Sequence, residues 1–267
     1  MPGLRFPSSP FLLALLIATV APACAGDAPH PIVAAPTPDA GSPTPDAGAV
    51  MVCPPVPAAV DPTALVDDFE HAGSGVPLIA GRSGAWYASH DATNGIMQPD
   101  GLAMPEVIPG GRCASRQALH VTGSGFSDWG AVVALAMHSA PNSAGVYEEQ
   151  PYDARARNYQ GVSFFARVGE TSVNTVRYAV SDQFARPEAG LCKLADNNCY
   201  STYGIPLGSE LGTQWREFRI PWTGLSQLDF GVKGGDTGPD TTKIYDIQFT
   251  FPPRVVFDLW IDDVRFF

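Results

Sequence analysis

From Leu65 onward, apolar and polar residues alternate with a period near two, and turn residues separate the runs. The pattern predicts strands at Leu65–Glu70, Ala85–Ser89, Gln117–Thr122, Ala131–Met137, Val162–Val168, Val173–Ser181, Gln214–Trp222, Ile244–Phe251 and Phe257–Phe267. Beyond the first residues of the chain, no segment keeps an apolar 3.6 period for three turns. Strands at this spacing, with no helices to carry parallel crossovers, imply antiparallel sheets packed as a sandwich. The reading is therefore all-β.

Alternation also assigns faces. Val162, Phe164 and Ala166 point inward, as do Val176, Tyr178 and Val180, then Phe218, Ile220 and Trp222, then Tyr245, Ile247, Phe249 and Phe251. Their alternates are Ser163, Phe165 and Arg167, then Arg177, Ala179 and Ser181, then Asp246, Gln248 and Thr250. That outward set mixes arginines, an amide, a carboxylate and an aromatic, which suits either solvated surface or a sugar-binding face. In the last strand Ile261 and Val264 stand three apart, breaking the period. A bulge at Asp262-Asp263 would bring both inward and re-aim one carboxylate. The first and last strands are expected to meet and close the domain.

Composition fits many strands joined by turns, with Gly 27 and Pro 26 in 267 residues. The net charge of -11, with Lys193, Lys233 and Lys243 as the only lysines, argues against nucleic acid or an anionic membrane surface as partner. Residues 1–24 read as an export signal: Arg5, an apolar run Phe11–Val20, then Ala21-Pro22-Ala23. Cys24 follows where a bacterial lipoprotein carries its acylated cysteine, although Ala21 and Pro22 depart from the usual lipobox. Membrane contact is thus expected only through a lipid on Cys24. Residues 25–61 repeat Thr-Pro-Asp-Ala-Gly at Thr37 and Thr44 and read as a disordered spacer, leaving 62–267 as the folded domain. Localisation is expected to be exported: outer-membrane or cell-surface lipoprotein, or periplasmic or extracellular.

Setting Cys24 aside, four cysteines allow three pairings. The favoured one joins Cys192 to Cys199 within a loop and Cys53 to Cys113, tying the spacer's end to the domain. The histidines show no zinc spacing, and Gly123-Ser124-Gly125 lacks the spacing of a nucleophile elbow. Paired glycosidase acids cannot be read from sequence, so a glycan hydrolase stays as a minor alternative.

Leu65-Val66-Asp67-Asp68-Phe69-Glu70, Tyr152-Asp153-Ala154 and Tyr159–Arg167, Trp215–Trp222 and Trp260-Ile261-Asp262-Asp263-Val264, in that order, resemble a galactose-binding-like β-jelly-roll. The kin are family-11-like carbohydrate-binding modules and the related domain of complex I assembly factors, over about residues 62 to 267. The resemblance implies a two-sheet antiparallel jelly-roll sandwich, a structural Ca²⁺ and a concave face that binds polysaccharide. On that reading Asp68, Glu70 and Asp263 are the candidate calcium ligands. The competing reading is that these acids protect edge strands. Phe165, Arg167, Arg177 and Gln248 are the candidate sugar-face residues, with Trp129 and Tyr200 rimming the face from loops. The expected function is non-catalytic binding of a polysaccharide such as β-glucan. The alternative is a surface lipoprotein that uses the fold for protein contacts or envelope structure.

Overall fold

The structure is a computed structural model that describes residues 61–267. In chain order its strands begin with β1 (Leu65–Asp67), β2 (Trp86–His90), β3 (Ile96–Gln98), β4 (Gly101–Leu102), β5 (Pro105–Arg112) and β6 (Ser115–Ser124). Next come β7 (Ala131–Ala136), β8 (His138–Pro141), β9 (Tyr147–Gln150), β10 (Gly161–Val168) and β11 (Arg177–Asp182). The last are β12 (Tyr203–Pro206), β13 (Arg216–Pro221), β14 (Ser226–Gln227), β15 (Ile244–Phe251) and β16 (Phe257–Phe266). The helical elements among the described residues are 3-10 turns of three residues, and none is long and apolar enough to cross a membrane.

Two seven-stranded sheets form the sandwich. Sheet 1 runs β13-β10-β16-β6-β3, with β1 also on β16 and β5 also on β6; sheet 2 runs β14-β12-β11-β15-β7-β2-β4. The chain passes repeatedly from one sheet to the other, among other places at β6 to β7, β10 to β11, β12 to β13 and β15 to β16, and the registers are antiparallel, the jelly-roll arrangement expected. A separate hairpin, β8 with β9, follows β7.

The inward faces are as alternation assigns them except at Tyr245: an irregularity in the β11–β15 register puts Ile244 in the core, and Tyr245 lies beside Glu188 and Arg186. Phe164 of sheet 1 meets Tyr178 and Phe249 of sheet 2 at ring separations of 5.3 and 4.9 Å, and Phe251 stacks on Phe257 at 3.9 Å. β1 does pair with β16, Leu65 opposite Arg265 and Asp67 opposite Val264. The bulge is present too: Ser163 opposes Arg265 but Phe165 opposes Asp262, and Asp263 takes a positive φ of 49°. Ile261 and Val264 are both fully buried as a result.

Strand ends differ where a side chain captures the backbone. The first strand stops at Asp67 rather than Glu70, because the Asp67 carboxylate accepts from the Phe69 amide at 2.8 Å and Phe69 turns to a φ of 58°. The expected Val173 start shifts to Arg177, since the Val173 amide donates to Val256 O instead of to a ladder. β5, with two prolines and two glycines, carries no strand pattern, yet it pairs along β6 at the edge, where Pro is tolerated.

Cys192 and Cys199 form the expected disulfide, with Cα atoms 5.1 Å apart. Cys113 is also disulfide-bonded; its expected partner Cys53, like Cys24 and the whole of the leader, lies outside the described residues.

Candidate functional site

The six candidate sugar-face residues do not share a face. Phe165 and Arg167 lie on β10, on the outer side of sheet 1, whereas Arg177 and Gln248 lie on β11 and β15, on the outer side of sheet 2. Alternation is a property of one strand; it says which residues of that strand agree, not which sheet the strand joins.

On sheet 1 the ring faces are already covered. The Arg112 guanidinium sits 4.1 Å above the Phe165 ring, Arg167 lies between Trp215 at 5.3 Å and Trp260 at 5.0 Å, and His120 stacks on Trp260 at 3.8 Å. Ile108 from β5, Ala118 and Trp260 are buried together against Trp215. A pyranose needs a free aromatic face to stack on, and here arginines and His120 already lie over the rings of Phe165, Trp215 and Trp260. Most charges on this side are paired locally: Arg112 pairs with Asp262 at 2.7 Å and with Asp263, and His120 bridges Glu106 and Asp258 at 2.9 and 3.0 Å, whereas Arg167 pairs with no acid and its buried Nε has no hydrogen-bond partner. Burial, opposed by Arg112, pushes the Asp262 carboxyl up to about 6.

The calcium residues are engaged in the same way. Glu70 accepts from the amides of Arg116 and Gln117 at 2.5 and 2.9 Å and pairs with the Arg116 side chain. Asp263 pairs with Arg112 and Arg265, not with Glu70, and Asp68 caps the Glu70 amide at 3.2 Å. Among the described residues no three acids, histidines or cysteines are grouped to hold a metal. Arginines and amides occupy the carboxylates that Ca²⁺ would need, so these residues do not fit the ion.

The outer side of sheet 2 is different. Registers align Gly204, Ala179, Gln248, Ala134 and Tyr87 in one row across five strands, and Pro206, Arg177, Thr250, Val132 and Ser89 in the next. Alanine and glycine make the first row a low floor that larger neighbours close over, with Ala179 and Ala134 0% exposed. Gly204 is required there: a Cβ would come within 2.4 Å of Tyr178 O and 2.5 Å of the Arg177 guanidinium carbon. Arg177 therefore lies across Gly204 and donates to Thr202 Oγ1 at 2.8 Å, Thr202 O at 2.9 Å and Ser226 O at 3.2 Å. Burial pulls its pKa down to about 10.

One end of this face is closed by a buried charge cluster that the sequence reading did not single out. Arg186, 8% exposed, pairs with Asp246 at 3.1 Å, Glu149 at 2.5 Å and Glu188 at 3.2 Å. Gln248 donates to Asp246 at 2.7 Å and to Ser181 at 2.8 Å, and the Tyr87 hydroxyl lies beside Arg186 and Glu149. The cluster ties the β8–β9 hairpin and the loop after β11 onto the sheet. One guanidinium cannot neutralise three carboxylates, so burial and the nearby Asp246 push Glu149 up to about 7. Burial and the same two acids raise Tyr87 well above its ordinary range.

Tyr200 and Trp129 lie in loops at opposite ends of the sheet 2 strands, 49% and 50% exposed. Tyr200 follows the Cys192–Cys199 staple directly and stacks against Arg186 at 5.9 Å. Trp129 precedes β7 at the other end of the strands, near the Ala131–Phe251 pair and away from the Ala136–Asp246 pair. Asp246 was legible as outward-facing, but Arg186 and Glu149 sit in an irregular loop and a short polar hairpin, where no period marks them.

No protein-family model matches the chain, and no curated protein matches it. Solved structures do. The family 11 carbohydrate-binding module of a cellulosomal cellulase of Clostridium thermocellum is similar at 15% identity and TM-score 0.44, over 76% of this chain and 92% of that one. A second structure of a Clostridium thermocellum family 11 module, in complex with a beta-1,3-1,4-mixed-linked tetrasaccharide, gives 14% identity and TM-score 0.43, over 76% and 94%. The family 30 module of another Clostridium thermocellum cellulosomal cellulase gives 12% identity and TM-score 0.47, over 77% and 96%.

Proposed function

We propose that the outer face of sheet 2 binds a polysaccharide chain without cleaving it. One observation carries the reading. The row Pro206, Arg177, Thr250, Val132 and Ser89 stays at least partly exposed across five strands, beside the buried floor of Gly204, Ala179 and Ala134, with half-exposed aromatics in loops at opposite ends. A glycan chain offers the complement, with hydroxyls for polar groups and apolar ring faces for aromatics. Cleavage would need one carboxylic acid and one carboxylate aimed at the glycosidic bond. The two acids nearest the floor, Asp246 and Glu149, are both held by Arg186, and Asp246 is fully buried.

Placement extends the proposal. With residues 1–24 as export signal, Cys24 acylated and 25–61 as a spacer, the domain would be displayed from a bacterial envelope toward polysaccharide. Cys24→Ser should then release the protein from membranes. Binding is tested by affinity electrophoresis in gels containing polysaccharide, starting with the mixed-linkage β-glucan type found on the family 11 module. Retention is expected for the intact domain and weakened retention for Trp129→Ala and Tyr200→Ala. Absence of retention on every polysaccharide, at millimolar affinity, would overturn the reading and favour a protein-contact role.

A further inference from the structure

We infer that the open part of this face is built for an acidic polysaccharide, one whose anionic group, a uronate carboxylate or a sulfate, seats against Arg177. The inference rests on the glycan-binding reading and narrows it to a substrate class.

Arg177 differs from most arginines of the two outer faces; Arg167 and Arg219 on sheet 1 also pair with no acid, but their guanidiniums lie over the rings of Trp215, Trp260 and Phe267. Arg112 is matched by Asp262 and Asp263, Arg186 by three acids, Arg116 by Glu70 and Arg265 by Asp263. The three hydrogen bonds of Arg177 all go to neutral oxygens. Its neighbours on every adjoining strand are uncharged: Gly204 and Pro206 on β12, Ser226 on β14, Gln248 and Thr250 on β15, Val132 and Ala134 on β7. In a chain with net charge -11, a partly buried cation has been left on a patch with no counter-charge. Burial alone moves its pKa, with no carboxylate near enough to oppose it.

Geometry leaves room for a ligand. A guanidinium has five N–H donors, and three contacts to Thr202 and Ser226 leave Nε–H and one Nη1–H without a protein acceptor. Those contacts also fix the planar fork in place, so an anion meets a preorganised site. Gln248, Thr250 and Ser89 lie in the same and the adjacent row, in position for the hydroxyls of the sugar that carries the anion.

The test compares polygalacturonate, a sulfated galactan and neutral mixed-linkage β-glucan, by affinity electrophoresis and calorimetry at low and high salt. An anionic polymer is expected to bind at least about tenfold tighter than the neutral one, the range of a charge-assisted bond, and to lose that margin with salt. The ranking of carboxylate against sulfate then names the anion. Arg177→Gln should abolish the margin, bringing anionic and neutral polymers to within about twofold of each other. Because Arg177 also braces β12 and β14, Thr250→Glu provides a second route. Thr250 opposes Arg177 in register, so a glutamate there neutralises the cation without cutting its bonds. Equal binding of neutral and anionic polymers, or a Thr250→Glu protein that folds and keeps the margin, would overturn this inference and leave the broader reading standing. No binding to any polymer would overturn both.

Discussion

Replacing Arg186 by methionine should be among the more damaging single changes in the domain, and its cost should depend on pH. The Arg186 side chain is 10% exposed and that of Asp246 fully buried, while the Glu149 side chain is 16% exposed. Methionine fills much of the volume but strands two carboxylates, and breaking a buried pair on one side costs about 3–5 kcal/mol. For a domain of this size that is a Tm loss of about 6–20 °C. Removing the stranded charges as well, in Arg186→Met/Glu149→Gln/Asp246→Asn, should recover most of the loss, since Gln248 can still bond an asparagine. Protonation is a second rescue. Glu149 is held near 7, above its ordinary value, so its contribution is full below about pH 4.5 and is lost as pH rises through 7. Wild type should therefore lose up to about 3 kcal/mol between those values, and Glu149→Gln should flatten that slope. Urea unfolding at pH 5.5 and 7.5, with the m-value checked for constancy, measures all of this. A single mutant within 1 kcal/mol of wild type at pH 7.5, or a triple mutant no better than the single, would refute the reasoning.

Three further outcomes follow from the same geometry. His120 lies between Glu106 and Asp258; burial pushes its pKa down, but the two carboxylates more than offset this, so it ends above the ordinary value. The stabilisation is present below about pH 6.5 and lost as pH rises through the folded value, so midpoints for wild type and His120→Gln should converge between pH 6 and 9; a constant gap would contradict the bridge. Cys192→Ser/Cys199→Ser opens a short loop and should cost about 2–3 kcal/mol in thermal unfolding, with weaker glycan retention because Tyr200 follows the staple; unchanged retention would separate Tyr200 from the site. EDTA should leave Tm unchanged, because arginines and amides hold Asp68, Glu70 and Asp263; a fall reversed by Ca²⁺ would restore the calcium reading.

The strand pattern made much of the fold legible. Period two located the principal strands and their inward faces, and its interruption at Ile261 and Val264 marked the bulge at Asp263. The site was legible only in part, for physical reasons. Phe165 and Gln248 both point outward from their strands, but partnership in a sheet is decided by contacts distant in sequence, and here it sent them to opposite faces. The alternation that exposes Phe165 is silent about Arg112, which arrives from a proline-containing edge strand to cover its ring. Asp263 was correctly seen as re-aimed, yet its partners are that same Arg112 and Arg265 rather than Glu70. Glu149 and Arg186 lie in segments whose order comes from one another, so no local signal precedes the fold.

The central claim is that the outer face of sheet 2, and not that of sheet 1, holds the glycan. Amide chemical-shift mapping during titration with soluble glycan oligosaccharides tests it directly. The expected result is a set of changes confined to Ser89, Val132, Arg177, Ala179, Tyr200, Gln248 and Thr250. Changes centred on Phe165, Arg167, Trp215 and His120, the closed row of sheet 1, would contradict it.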